Sequence, residues 1–120
     1  MERKSTGAIG EKLARDFLKK KGYSILETNY RCREGEIDIV ARQKDCLVFI
    51  EVRTKSNLEF GSPEESITAT KIRHLERAAQ HYCQNSNKSP DSWRIDFVAV
   101  ELDLNHKLKR IELIENAIQE

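Results

Sequence analysis

Two apolar segments separated by only three residues constrain the fold of this chain more than any other feature. Residues 36–42 and 46–53 combine β-branched and aromatic residues with regularly spaced charges, and only Gln43-Lys44-Asp45 separates them. So short a connection joins antiparallel neighbours, because parallel strands need a long crossover. With Lys44 and Asp45 at the tip of a tight hairpin, the numbers of opposed residues sum to 89.

This register places four charged side chains on one face of the hairpin. It pairs Asp38 with Glu51, and Glu36 with Arg53. Side chains alternate along a strand, so all four share a face. The opposite face is apolar and needs burial; it carries Ile37, Ile39, Val48, Ile50 and Val52.

The pairing of Asp38 with Glu51 needs a physical explanation. Their Cβ atoms would lie about 5 Å apart, and opposed carboxylates destabilise a sheet. A shared proton, a salt-bridging base such as Arg53, or a divalent cation would each relieve the repulsion. Two carboxylates and a nearby backbone carbonyl are ligands suited to Mg²⁺ or Mn²⁺. An ordinary surface network, in which Glu36 pairs with Arg53 and Asp38 is solvated, explains the pattern equally well.

The rest of the chain predicts an α/β fold with a mixed sheet. Apolar residues at helical spacing indicate a helix from Ile9 to Leu18, with Ser5 or Thr6 as its cap. Further strands are predicted at 23–30, 93–101 and 107–114, and a loop at 85–91. The order is α-β-β-β-α-β-β, with about five strands flanked by two main helices and the last strand at an edge.

The second helix has two candidate starts. Ser62-Pro63-Glu64-Glu65 has the form of a capping box with proline in the first turn. Thr68 would cap a later start. Because Ile67 falls off the apolar stripe that runs from Ile72 to Tyr82, we expect the main helix to begin near Thr68.

Length and charge predict one domain, 1–120, with a segmented charge pattern. The net charge of +1 conceals basic segments at 1–33 (+5) and 67–90 (+3) and acidic segments at 34–66 (−4) and 91–120 (−3). Solvated helix faces explain this pattern. It also suits basic helices that receive a polyanion beside acidic strands that hold a metal.

The sequence offers no sign of a membrane segment or of secretion. Its longest apolar run, Leu47–Ile50, is far below the ~20 residues that cross a bilayer, and no signal peptide is visible. Three scattered cysteines argue against a disulfide framework, so a cytoplasmic location is expected. His74 and His81 lack a third ligand and are interpreted as surface residues rather than zinc ligands.

Several short motifs follow one another in unbroken order over roughly residues 7–100. They are Gly10-Glu11-x-x-Ala14, Gly22-Tyr23-x-Ile25-Leu26, Asn29-Tyr30-Arg31, Gly35-Glu36-Ile37-Asp38, Val48-Phe49-Ile50-Glu51-Val52-Arg53 and Phe60-Gly61, with Lys71, Ala78, Ala79 and Tyr82 on the second helix. Together they resemble the YraN-type (UPF0102) family of small uncharacterised bacterial proteins. That family in turn resembles restriction-endonuclease-like nucleases, particularly archaeal Holliday-junction resolvases.

The resemblance implies a catalytic site. The related nucleases use a helix Glu, a strand Asp and a Glu-x-Lys on the next strand; here Glu11, Asp38 and Glu51 match the three carboxylates. Mg²⁺ or Mn²⁺ would be held by these residues and the Val52 carbonyl. Arg53 replaces the lysine of the motif. Since arginine stays charged and has no acceptor, its expected role is to stabilise negative charge, not to act as a base.

Other basic residues complete the prediction. Lys55, nominally on the same face, is the candidate substitute for the motif lysine. The residues expected to contact phosphate are Arg31, Arg33, Lys71, Arg73 and Arg77. Arg73 and Arg77 are also spaced as an ordinary solvated helix face, and that interpretation stays open.

The expected function is therefore a metal-dependent nuclease that hydrolyses DNA phosphodiesters, with branched or damaged DNA as candidate substrates. DNA is favoured over RNA as the partner, and a homodimer is left open. The alternative is a catalytically inactive nucleic-acid-binding module on the same fold, which the Glu-x-Arg variation favours. A protein–protein adaptor is a third interpretation, supported only by the balanced net charge.

Overall fold

The computed structural model describes residues 5–57, 61–85 and 92–117, and its elements follow the predicted order. The helices are α1 (Thr6–Lys20) and α2 (Ala69–Asn85). The strands are β1 (Ser24–Cys32), β2 (Gly35–Gln43), β3 (Cys46–Lys55), β4 (Ser92–Leu102) and β5 (Leu108–Ile114). Of the predicted loop at 85–91, Asn85 ends α2, and the rest lies outside the described residues. No helix in these ranges is long and apolar enough to span a membrane.

The strands form one mixed sheet in the order β1-β2-β3-β4-β5. Only β3 and β4 are parallel, and α2 provides the long crossover that parallel neighbours require. The other three neighbouring pairs are antiparallel. The predicted α/β architecture is confirmed, including the position of β5 at an edge.

Both candidate starts of the second helix are used, but by different elements. The Thr68 hydroxyl accepts a hydrogen bond from the Lys71 backbone N–H at 3.2 Å, so α2 begins where predicted. Ser62 accepts a bond from the Glu65 N–H at 3.3 Å, but its motif opens a separate 3₁₀ turn over Glu64–Ser66. Extended backbone at Ile67 ends that turn and separates it from α2.

The two helices cover opposite faces of the sheet. Buried residues on the α1 side are Ala14, Leu18, Tyr23, Ile39, Ala41, Val48, Ile50, Val98, Val100 and Leu102. Those on the α2 side are Ile37, Val40, Leu47, Phe49, Leu75, Ala78, Ala79 and Ile95. Consecutive residues of β3 alternate between the groups, as the period of two requires. The prediction of one shared apolar face is wrong for Ile37, which packs on the α2 side.

The carboxylate of Asp96 lies in the core with no exposed surface, and its hydrogen bonds stabilise the fold. Asp96 on β4 accepts hydrogen bonds from Arg94 Nε at 2.9 Å, from the Tyr23 hydroxyl at 2.8 Å and from the Asn116 N–H at 2.9 Å. A buried ion whose hydrogen bonds are made is tolerated. This network ties together the residue before β1, strand β4 and the segment after β5.

Gly10 lets α1 pack directly against β3. A Cβ at this position would lie 2.7 Å from Cβ and Cγ2 of Thr54 and closer still to its hydroxyl. Any larger residue would push the helix away. The absence of a side chain at Gly10 therefore brings its neighbour Glu11 close to the sheet.

Replacement of this glycine tests the close contact. Gly10→Ala should lower the free energy of unfolding by about 1–3 kcal/mol through overpacking. Gly7→Ala is the matched control, because a Cβ there meets nothing within 4 Å, and alanine should stabilise the helix by up to about 1 kcal/mol. Urea unfolding measures both. Equal effects at the two positions would contradict tight packing of α1 on β3.

Candidate active site

The hairpin register is confirmed up to the point where β2 and β3 separate. Pairs from Gln43–Cys46 to Ile39–Ile50 follow the predicted sum of 89. The predicted Asp38–Glu51 pair is not part of this ladder. Instead, the Asp38 carboxylate accepts a hydrogen bond from the Val52 backbone N–H at 2.8 Å. A side chain here takes the place of a backbone acceptor and ends the ladder.

The predicted pairing of Glu36 with Arg53 is wrong. In the register of β1 with β2, Glu36 lies opposite Arg31, and the two form an ion pair at 3.5 Å between Arg31 Nε and Glu36 Oε1. On the N-terminal side of Ile39, β2 stays paired with β1 but no longer pairs with β3. The cross-strand neighbour of Glu36 therefore comes from β1.

The separated strand ends leave a cleft on each side of the sheet. The α2 cleft, between sheet and second helix, is lined by Glu36, Asp38, Glu51, Arg53, Lys71 and His74, among others. The α1 cleft, beside the first helix, is lined by Glu11, Asn29, Arg31, Glu36, Asp38 and Val52, among others. Asp38 thus faces both clefts, with Glu51 on one side and Glu11 on the other.

Glu51 has the most strongly shifted pKa among the acidic residues of the site. Its side chain is 14% exposed, and burial raises its pKa to about 9. A hydrogen bond with Asp38 and the negative charge of Asp38 act in the same direction, while the positive charge of Arg53 lowers the pKa in part. In the absence of a cation, Glu51 keeps its proton at neutral pH, so the shared proton relieves the repulsion between the carboxylates.

Arg53 lies beside this pair with an unused donor. Its Nη2 is 3.8 Å from Glu51 Oε2, too long for a hydrogen bond. Its Nε is buried and has no hydrogen-bond partner among the described residues. A buried N–H without an acceptor typically costs about 1–3 kcal/mol, so an anion in the cleft would gain from this group.

Glu11 reaches the sheet from α1 and contacts β1. Its carboxylate accepts hydrogen bonds from Asn29 Nδ2 at 3.0 Å and from Arg15 at 3.2 Å. Burial and the charge of Asp38 raise the pKa of Glu11. Asp38 therefore raises the pKa of both Glu11 and Glu51, although these two residues lie in different clefts.

Asn29 is a site residue that the sequence marks only as part of the Asn29-Tyr30-Arg31 motif. It adopts a left-handed conformation, φ 54°, in the middle of β1. Asparagine tolerates this conformation better than most residues, and such strain is often found at functional sites. The amide is thereby aimed at Glu11, 18 positions earlier in the chain.

The remaining predicted residues are divided between the clefts and the outer surface. Lys71 lines the α2 cleft and Arg31 the α1 cleft. Lys55 lies outside both clefts, at the end of β3 opposite Glu101 on β4. Three other basic residues are exposed, of which Arg73 bonds Thr70 on its own helix; they are Arg33, Arg73 and Arg77.

The two histidines of α2 have different surroundings. His74 is exposed, as the sequence predicts, and it also lines the α2 cleft. His81 Nδ1 lies 2.6 Å from the Tyr30 hydroxyl. Over residues 5–57, 61–85 and 92–117, no group of three or more His, Cys, Asp or Glu side chains is arranged to hold a metal ion.

Comparison with known proteins identifies the family of this chain. Residues 10–100, which include every candidate site residue, match the profile of Uncharacterised protein family UPF0102. The chain belongs to this family. A UPF0102 protein of Dehalococcoides mccartyi is 52% identical over 98% of this chain and 96% of its own length. UPF0102 proteins of Moorella thermoacetica (46%, 98% of each chain) and Caldicellulosiruptor saccharolyticus (43%, 98% and 99%) are similar over the same extent.

The protonated Glu51 of this UPF0102 member predicts a specific pH dependence. The pKa of Glu51 is raised from an ordinary value of 4.5 to about 9 in the folded state. The protonated carboxyl therefore contributes its full stabilisation of the fold below pH 4.5, and this stabilisation is lost as the pH rises toward 9. Glu51→Gln mimics the protonated form. In chelator, its stability relative to wild type should therefore grow from pH 5 to pH 9, by at most about 1.4 kcal/mol per pH unit.

Urea unfolding at several pH values measures this difference. Glu27→Gln, at an exposed position of β1, is the control and should run parallel to wild type. Parallel curves for Glu51→Gln as well would contradict a shared proton between Glu51 and Asp38.

Proposed function

We propose that this protein is a metal-dependent nuclease that hydrolyses DNA phosphodiesters. The observation that carries the proposal is the meeting of Asp38 and Glu51 in a cleft that also contains Arg53 and Lys71. Phosphodiester hydrolysis needs both kinds of group, since carboxylates bind a divalent cation and basic side chains stabilise the charged phosphate.

The acidic residues fit a divalent cation. Oxygen donors are available from Asp38, Glu51 and the Val52 carbonyl. Burial, a hydrogen bond with Asp38 and the negative charge of Asp38 raise the pKa of Glu51, and a cation would neutralise that charge. Mg²⁺ usually keeps several waters and uses one or two protein carboxylates, so a cluster of three acidic side chains is not required. A bound Mg²⁺ or Mn²⁺ would polarise a phosphoryl oxygen and lower the pKa of a bound water.

The protein's own residues would have distinct roles. Asp38 and Glu51 hold the cation, and Asp38 is fixed for this by its bond to the Val52 N–H. Arg53 donates its unused Nε–H to negative charge that develops on the phosphate. Glu11, held by Asn29, places a further carboxylate on the opposite side of Asp38. The choice of DNA rests on the resemblance to Holliday-junction resolvases.

A second function is favoured by one observation. Arg53 lies close to Glu51, and its positive charge offsets part of the rise in the pKa of that carboxyl. An arginine held there serves binding of a nucleic acid backbone as well as catalysis, since it cannot accept a proton. An inactive nucleic-acid-binding module is therefore the alternative, and it predicts salt-sensitive DNA binding without cleavage.

Metal binding is the first requirement of the proposed nuclease. Millimolar Mg²⁺ or Mn²⁺ should raise the melting temperature of wild type by several degrees, and Asp38→Asn should abolish the increase. The increase should be larger at pH 8 than at pH 6, because the cation must displace the proton from Glu51.

Differential scanning fluorimetry measures this effect. The control is Asp16→Asn, which removes an exposed carboxylate of α1 that pairs with Lys12 and lies outside both clefts. It should respond to metal as wild type does. An undiminished response of Asp38→Asn would exclude this metal site.

The role of Arg53 is tested by cleavage of a panel of branched, single-stranded and duplex DNAs. Arg53→Ala should reduce metal-dependent cleavage by about 10²–10³-fold, as for the loss of one transition-state donor. Arg53→Lys should retain activity, because a positive charge remains at the cleft. Lys55→Ala should change activity little, since Lys55 lies outside both clefts. Robust cleavage by Arg53→Ala would exclude Arg53 from the mechanism.

A further inference from the structure

The wall of the α2 cleft that faces the carboxylates is built from the second helix. Lys71 and His74 both line the cleft, and the three-residue spacing places them on one side of α2. Leu75, next in sequence, is buried and fixes the helix against the sheet. The cleft therefore has an acidic wall from the strands and a basic wall from α2.

His74 lies next to Gly35, at the start of β2. A Cβ at Gly35 would lie 3.4 Å from His74 Cβ and 3.5 Å from the His74 carbonyl oxygen. These are ordinary contact distances for a Cβ, so the start of β2 and α2 approach each other closely at this point. The imidazole is exposed beside the cleft and free to contact a ligand.

The charged side chains that line the cleft differ in their ion pairs. Glu36 is paired with Arg31, and Glu51 lies 3.8 Å from Arg53. No ion pair joins the half-buried Lys71 to another residue of the described ranges. It lies in the first turn of a 17-residue helix, where the helix dipole adds positive potential.

We propose that Lys71 and His74 bind a phosphate group of a nucleic acid backbone in the α2 cleft. Lys71 supplies ammonium donors and His74 supplies an imidazole N–H. The Nε–H of Arg53, which has no partner among the described residues, is the third donor to the phosphate. The proposal deepens the proposed function, on which it rests for the nature of the substrate. It assigns α2 a direct role in phosphate recognition.

The three histidines of the chain provide a direct test by NMR. Thymidylyl-thymidine, which contains one phosphodiester, is titrated into the full-length protein near neutral pH, with inorganic phosphate as a second probe. The imidazole signals of His74 should shift and saturate. Those of His81 and His106, which do not line the cleft, should stay in place. Saturation by either probe supports the phosphate site, and their relative affinities show whether it prefers a diester or free phosphate.

Matched variants of α2 show which cation is responsible. Lys71→Gln should weaken binding by about tenfold or more, as expected when a charged hydrogen bond is lost, and Lys71→Arg should restore most of it. Arg73→Gln is the control, because Arg73 lies on the exposed side of the same helix and bonds Thr70. It should bind the dinucleotide as wild type does.

Two results would overturn the proposal. One is a His74 signal that does not move at saturating dinucleotide and phosphate. The other is an equal loss of affinity in Lys71→Gln and Arg73→Gln, which would indicate diffuse attraction to a basic helix. Lys71-dependent binding in a protein that cleaves no DNA would support this site while removing the nuclease function, so the two failures are distinguishable.

Discussion

The hydrogen bond from the Val52 N–H to the Asp38 carboxylate is the interaction on which the site depends. It uses a backbone donor that an unbroken ladder would pair with a carbonyl, and β2 and β3 separate at this point. The separation opens clefts on both sides of the sheet. The same bond fixes one of the two acidic side chains, so the irregularity of the sheet and the geometry of the site have one cause.

The helices bring the other groups to this opening by different means. α1 packs on Thr54 through a residue without a side chain, and so delivers Glu11 to the sheet. Strained backbone at Asn29 then holds that carboxylate. α2 contributes Lys71 and His74 from the opposite side. Each contact is local and sterically simple, yet together they place Glu11, Glu51 and several basic groups around Asp38.

Close negative charges on neighbouring strands are unfavourable for folding and useful for binding. Glu51 keeps its proton because burial and Asp38 raise its pKa to about 9. A cation that displaces this proton would restore two ionised carboxylates. The chain belongs to UPF0102, and this acidic pair is the feature of its structure from which a function is best argued.

The sequence by itself determined the order of the elements, the Thr68 cap of α2 and the hairpin register through Ile39, because these depend on local spacing and turn length. Site residues on neighbouring strands could also be named in advance. Only the tertiary structure decided that Glu36 pairs with Arg31, that Glu11 and Glu51 occupy different clefts, and that His74 lines one of them. Alternation along a strand assumes an unbroken ladder, and no sequence pattern shows where a side chain will replace a backbone acceptor.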